Sequence, residues 1–208
     1  MAYDFKQAQK ELYRPGEQPT LVDVPAMTFL TVRGQGDPNQ PESEYQQSIQ
    51  LLYSLAYTIK MSKKGTYQPA GYFDFVIPPL EGFWWQTGSR GMDYRHKEKL
   101  AFISCLRIPD YVTPATFDWA VREAGAKKEL DFSRVSLRTF TEGKCVQALH
   151  RGPFDDEPAA VSKLRRFIAQ AKLKPDYSAQ RHHHEIYLSD PRRTKPANLK
   201  TVIRLPVG

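Results

Sequence analysis

Apolar residues recur along this chain in two rhythms, and the sequence of rhythms appears twice. Tyr45, Ile49, Leu52, Ala56 and Ile59 fall at helical spacing and end at Gly65. They follow Ser43-Glu44-Tyr45-Gln46, a capping-box start whose serine and glutamine side chains can satisfy free backbone N–H groups. In the second half, Asp155 and Asp156 precede Pro158, a residue suited to a first helical turn, and Ala160, Leu164, Phe167 and Ala171 form the matching stripe. Each half opens with a strand ending in Arg-Gly, at Arg33-Gly34 and Arg151-Gly152. Each helix is followed by two strand-like runs, 71–77 then 99–108, and 183–189 then 199–205. The halves also close alike, on Leu106-Arg107-Ile108-Pro109 and Ile203-Arg204-Leu205-Pro206.

Each half therefore predicts strand-helix-strand-strand, and the whole predicts an α+β fold with an antiparallel sheet. One apolar stripe per helix places the helices on one face and leaves the other to water, a partner or a ligand. A third helix, 113–125, starts at Thr113-Pro114, stops at Gly125, and buries Phe117, Ala120, Val121 and Ala124. A connecting strand follows at 131–141. The expected organisation is a loose N-terminal arm over 1–24 and a single domain over 25–208. Repeat one spans about 25–110 and repeat two about 132–208.

With 208 residues, 40% hydrophobic and 25% charged, the chain has ordinary globular composition, which excludes disorder. No stretch approaches the roughly 20 apolar residues of a membrane helix. The N-terminus carries no secretory pattern, and Cys105 and Cys145 lack metal-type spacing; both point to a cytoplasmic protein with two buried free thiols. The net charge of +7 raises nucleic-acid binding, but the basic residues are scattered and no nucleic-acid-binding motif appears. No direct nucleic-acid contact and no membrane association are expected. Self-association as a homodimer stays open.

The chemistry concentrates in His182-His183-His184-Glu185-Ile186-Tyr187. Strand alternation sends Ile186 and Leu188 one way and His183, Glu185 and Tyr187 the other. With the apolar pair placed under the helices, Glu185 falls on the face the helices leave free. A glutamate there, among apolar neighbours, needs a donor or cation to stay charged, and His183 can supply one. The same alternation splits the three histidines, and no Cys or acidic cluster completes a metal site, so no metal is expected. Trp84 and Trp85 follow a rigid Pro-Pro turn, and Trp119 lies off the core stripe of its helix. The three are expected to converge on one pocket for a flat ligand. Glu81, Tyr72, Phe140 and Gln147 complete the candidate ligand contacts.

The run 142–158, Glu-Gly-Lys-Cys-Val-Gln-Ala-Leu-His-Arg-Gly-Pro-Phe-Asp-Asp-Glu-Pro, resembles the second-repeat signature of GyrI-like small-molecule-binding proteins. So do His183-His184-Glu185-Ile186-Tyr187-Leu188-Ser189-Asp190-Pro191 and Leu199-Lys200-Thr201-Val202-Ile203-Arg204. Pro79-Leu80-Glu81-Gly82-Phe83-Trp84-Trp85 is similar to the first-repeat motif of the stand-alone branch. The resemblance implies a duplicated fold with a central ligand cleft holding the glutamate that matches Glu185. Relatives fused to DNA-binding domains are drug sensors, and this chain has no room for such a domain. Stand-alone relatives include hydrolases that open strained cyclopropane rings in DNA-alkylating compounds. Phe154 departs from the tyrosine expected after Gly-Pro.

These readings converge on a cofactor-independent hydrolase that opens cyclopropane rings, with Glu185 as general base and Tyr187 orienting the water or donating a proton. Burial is expected to raise the pKa of Glu185. The partner is a small flat hydrophobic or cationic aromatic molecule. A non-catalytic drug-sequestering module uses the same cleft, and a gyrase-inhibiting role rests on family analogy.

Overall fold

A computed structural model describes residues 1–86 and 96–208. Both halves fold as strand, helix, strand, strand. Two short helices, α1 (Phe5–Ala8) and α2 (Lys10–Tyr13), lead into β1 (Thr20–Gln35) and α3 (Glu44–Met61). β2 (Leu80–Gln86) and β3 (Leu100–Arg107) complete the first half. α4 (Pro114–Lys127) crosses to β4 (Val135–Arg151), followed by α5 (Glu157–Gln170), β5 (His183–Tyr187) and β6 (Lys200–Pro206). The strands, all antiparallel, close into a barrel in the order β1-β3-β2-β5-β6-β4. The halves join at two seams, β1 with β4 and β2 with β5.

Helices α3 and α5 lie on the outer face. Ser43 caps α3 by accepting from the Gln46 N–H, and the helix buries Leu52, Leu55, Ala56 and Ile59. α5 presses Val161, Leu164 and Ile168 onto Val146, Ala148, Ile203 and Leu205. Each such side chain contributes roughly 1.5–3 kcal/mol on full burial. The buried stripe of α5 is therefore Glu157, Val161, Leu164 and Ile168, one residue over from the apolar stripe expected.

Three element expectations need correction. Segment 71–77 forms no strand: Gly71 turns the chain at φ +74°, and Lys60 and Lys63 hold Asp74. The strand lies at β2 instead, starting after Pro78-Pro79, which have no N–H for a ladder. The two strands expected around 131–151 are one continuous β4, bent at Gly143 with φ +70°. Gly125 does not stop α4, which runs on to Lys127.

The inner face is not left to water, and the N-terminal segment is not a loose arm. Phe5, Leu12 and Tyr13 are buried in the main core. They meet charged side chains that the barrel wall points inward. His184 Nδ1 lies 2.8 Å from Glu142 and its Nε2 lies 3.0 Å from Glu81. Arg204 donates to Gln147 (3.0 Å), Glu142 (3.3 Å) and the Leu12 carbonyl (2.7 Å). Tyr13 donates to Glu81, and Arg107 donates to Tyr13 and Gln9 while lying over the Phe5 ring. Buried charges without partners are strongly destabilising, so residues 1–16 are needed to complete this network and cover it. Glu81, Gln147 and the paired strand-end arginines belong to this interior.

The network sets a pH window for stability. Burial pushes Glu142 up, but His184 and Arg204 outweigh it and hold the carboxyl at about 2. Burial pushes His184 down, but Glu142 and Glu81 outweigh it and raise the imidazole above its usual value. A depressed carboxyl stabilises above its unfolded value of 4.5 and loses that contribution as pH falls toward 2. A raised histidine stabilises below its unfolded value of 6.5 and loses the contribution as pH rises through the folded value. The urea midpoint should therefore be highest between about pH 4.5 and 6.5 and fall on both sides. His184→Gln should flatten the alkaline side and, because His184 helps hold Glu142 low, also reduce the fall on the acid side; an unchanged alkaline slope would assign it to another group.

Candidate active site

One row of cross-strand neighbours explains where Glu185 sits. Ser104, Gly82, Glu185, Ile203 and Ala148 are paired in register across β3, β2, β5, β6 and β4. At one end, Ser48 of α3 donates to Ser104 (2.9 Å). At the other, α5 packs on Ile203 and Ala148. Glu185 thus faces outward, at the floor of the valley between the two helices, on the helix-bearing side. This overturns the expectation that it faces away from them. Barrel closure buries both faces of β5, so the apolar Ile186 belongs to the interior and cannot mark the helix side. With Arg107 aligned on Arg204, the first half carries Leu80 where the second carries Glu185.

Glu185 is 6% exposed and fully engaged. His183 Nε2 lies 2.9 Å from Oε1, and the Tyr187 hydroxyl donates to Oε2 at 2.7 Å. That hydroxyl in turn accepts from the Trp84 indole N–H at 2.8 Å and meets the Tyr45 side chain of α3. The rings of Tyr45 and Trp84 lie 5.1 Å apart, and Phe154 stands edge-on to Tyr187 at 5.7 Å. Glu157, the first residue of α5, reaches in from the opposite wall and is 2% exposed.

The two carboxyls are driven apart. Burial and the adjacent Glu185 charge raise Glu157 well above the usual carboxylate value, which favours its neutral form. Burial also pushes Glu185 up, but hydrogen bonds from His183 and Tyr187, the His183 charge and the Glu157 contact outweigh it. Its pKa is lowered, contrary to the expectation of a raised one. A carboxyl shifted towards its neutral form beside one shifted towards its ionised form divides the two roles of proton transfer between two residues.

Of the candidate residues, Glu185, Tyr187, His183 and Trp84 are brought together. Trp84 and Trp85 point to opposite faces, as adjacent strand residues must. Trp85 stacks on His182 at 4.2 Å beneath Arg33. Trp119 stacks on Tyr67 at 4.5 Å, so the three tryptophans do not share a pocket. Tyr72 donates to the Lys60 carbonyl, and Phe140 stacks on Phe29 and meets Phe83. Two open grooves exist elsewhere, one of about 370 Å³ between α4 and Phe132, one of about 290 Å³ beside Trp85. Neither contains the Glu185 cluster. Among the described residues, no group of three or more His, Cys, Asp or Glu is placed to hold a metal ion. No helix among them is long and apolar enough to cross a membrane.

Sequence reasoning missed Glu157, because an acidic residue before Pro158 already had an explanation as a helix start. Its signal was positional: Glu157 continues the spacing of Val161, Leu164 and Ile168, which puts a carboxylate on the buried stripe.

The GyrI-like small molecule binding domain matches this chain over residues 17–208. A crystal structure of an uncharacterized conserved protein from Listeria innocua is similar at 47% identity and a TM-score of 0.94, over 99% of this chain and 100% of that one. A hydrolase from Listeria innocua is similar at 45% identity and a TM-score of 0.90, with the same coverage. The C-terminal domain of EcmrR shares the fold at 13% identity and a TM-score of 0.54, over 92% of this chain and 97% of that one. Comparison with curated proteins found no match.

Gly82 tests the geometry of the valley. A Cβ there would stand 2.6 Å from Trp84 Nε1 and 3.2 Å from the Tyr187 hydroxyl. Gly82→Ala should displace the indole, break its bond to Tyr187 and cost about 1–3 kcal/mol by overpacking. Chemical denaturation and tryptophan emission report both effects; unchanged stability and emission would place the indole elsewhere.

Proposed function

Because this chain belongs to the GyrI-like small-molecule-binding family, we propose that it is a cofactor-independent hydrolase that opens strained cyclopropane rings in flat, conjugated xenobiotics. The observation that carries this reading is the buried Glu157–Glu185 pair, one carboxyl shifted up and the other down, set among Trp84, Tyr45 and Phe154. The 45%-identical relative described as a hydrolase supports hydrolytic chemistry.

In this mechanism Glu185 takes a proton from a water as its oxygen bonds to a ring carbon. The strained carbon–carbon bond breaks, and its electron pair passes to a conjugated carbonyl oxygen, which gains a proton from solvent. The net change is addition of one water. His183 and Tyr187 hold the carboxylate in place and keep it ionised. The upward shift of Glu157 favours its neutral form, which limits the negative charge of the pair and keeps a second carboxyl in contact with the base. General-base assistance of this kind contributes about 10²–10⁴-fold, and ring strain lowers the demand on it. The aromatic walls suit a planar ligand, consistent with a small-molecule-binding domain.

Incubation with a cyclopropane-bearing alkylator, followed by mass spectrometry, should show a gain of one water. Glu185→Gln should lower turnover at least about 10²-fold while binding of a neutral analogue barely changes. Since Glu185 is lowered, the acid limb of the rate should have its midpoint below 4.5. Since Glu157 is raised, the rate should fall again on the alkaline side as it ionises beside Glu185, and Glu157→Gln should remove that limb. Tight binding without turnover in the wild type would make the protein a sequestering module. Full turnover in Glu185→Gln would exclude this carboxylate as the base.

A further inference from the structure

Tyr13 meets Glu81 at the start of β2 and Arg107 at the end of β3; the opposite ends of these strands carry a different set of residues. Gln35, Ala101 and Trp85 are paired in register across β1, β3 and β2, and Arg33 lies two residues before Gln35 on the same face. That face is opposite to the one carrying Gly34, Phe102 and Trp84. The Trp85 ring stacks on His182 at 4.2 Å, and the Arg33 guanidinium lies over the indole at 5.2 Å. Ala101 stands between two long side chains and fills little of the space they leave, which opens a groove of about 290 Å³. Gly34 and Glu44 complete its lining.

The charge this groove presents is that of Arg33. Glu44 is already engaged, accepting from the Gln35 backbone N–H at 3.1 Å and from Arg134 at 3.1 Å. Gly34 makes room for that contact, since a Cβ there would stand 2.8 Å from the Glu44 carboxylate. Burial lowers the His182 pKa and the Arg33 charge adds to it, outweighing a backbone contact with Ala179, so the imidazole favours its neutral form. Arg33 is exposed, and among the described residues its guanidinium has no hydrogen-bond or ion-pair partner. Neither has the side-chain amide of Gln35. A guanidinium held against an indole keeps its fork of donors oriented while leaving them unused.

We propose that this groove is a second binding site, for a small molecule bearing a single carboxylate, with Arg33 as its anchor and the Gln35 amide as a further donor. The guanidinium fork matches the two oxygens of a carboxylate. Glu44 shares the groove, so a singly charged group meets less repulsion there than a phosphate dianion. The volume lies at the small end for ligand sites, which restricts the ligand to a small one. Because Trp85 and Glu185 lie on opposite faces of the sheet, this site does not depend on the hydrolytic reading of the valley.

Benzoate is the probe, with benzamide as its uncharged counterpart. In the wild type, benzoate should change tryptophan emission saturably and bind at least about tenfold more tightly than benzamide, the difference one charge-assisted contact supplies. Arg33→Gln should weaken benzoate to the level of benzamide while lowering the urea midpoint little, because the side chain is exposed. Added salt should weaken benzoate and leave benzamide unchanged. Trp85→Phe keeps a ring beneath Arg33; it should retain benzoate binding by calorimetry and lose the emission change. Equal binding of benzoate by wild type and Arg33→Gln, or no saturable binding at all, overturns the proposal. An emission change that persists in Trp85→Phe would place benzoate at another tryptophan and overturn the site. Phenyl phosphate binding more tightly than benzoate would overturn the assignment to a carboxylate.

Discussion

His184 and Glu185 are neighbours on a five-residue strand whose two faces are both buried, and much of the molecule is arranged around that double burial. His184 points into the barrel, where Glu142 and Glu81 flank its two ring nitrogens. Glu185 points out into the valley, where His183 and Tyr187 hold its two oxygens. A titratable group buried on each face must be compensated locally, because the low-dielectric surroundings screen little. The interior partners extend to Arg204 and Arg107 and end on the backbone and side chains of residues 9–13. The exterior partners extend to Trp84, Tyr45 and Glu157. β5 is thus pinned from both sides by directional contacts, and these fix the position of Glu185.

The N-terminal segment gains its meaning from this arrangement. Its apolar residues Phe5, Leu12 and Tyr13 would serve equally in any core. What ties them to this one is polar: the carbonyls of Glu11 and Leu12 accept from Gln147 and Arg204, and the Tyr13 hydroxyl bridges Arg107 and Glu81. A stopper made of backbone carbonyls and one phenol suits an interior already rich in donors. The segment is part of the site's support, although it lies on the far side of the sheet.

The duplicated plan was legible in the sequence because periodicity and punctuation both repeat: Ser43 caps one helix, Pro158 opens the other, and Arg107 and Arg204 end equivalent strands. The valley was only partly legible. Alternation along 183–187 correctly grouped His183, Glu185 and Tyr187, but it cannot say which group faces the helices once a sheet closes on itself. Trp84 and Trp85 looked like a pair for the same reason they are not one, since adjacency in a strand means opposite faces. Trp119 was half-buried against Tyr67, a contact between distant segments that no local pattern announces. Glu157 was hidden by a sufficient explanation: acidic residues belong at helix starts. The direction of the Glu185 shift was missed because burial was weighed without the two hydrogen bonds that oppose it.

Duplication also accounts for the asymmetry of the valley. The second half supplies both carboxyls and the imidazole: Glu185 and His183, with Tyr187, from β5, and Glu157 from α5. The first half supplies Gly82 and Trp84 from β2 and Tyr45 from α3, which are flat surfaces and the space for them. At the position equivalent to Glu185 it carries Leu80, so no second carboxylate competes for the same floor. A symmetric pair of such glutamates across the β2–β5 seam would add a further buried negative charge with no cation to meet it, and one of them would have to take up a proton. Leu80 and Gly82 remove that conflict and leave room for the indole to reach Tyr187. One half has kept the proton chemistry and the other has become the wall against which a planar molecule can lie. In such an arrangement, the seam between the halves is where the two contributions meet.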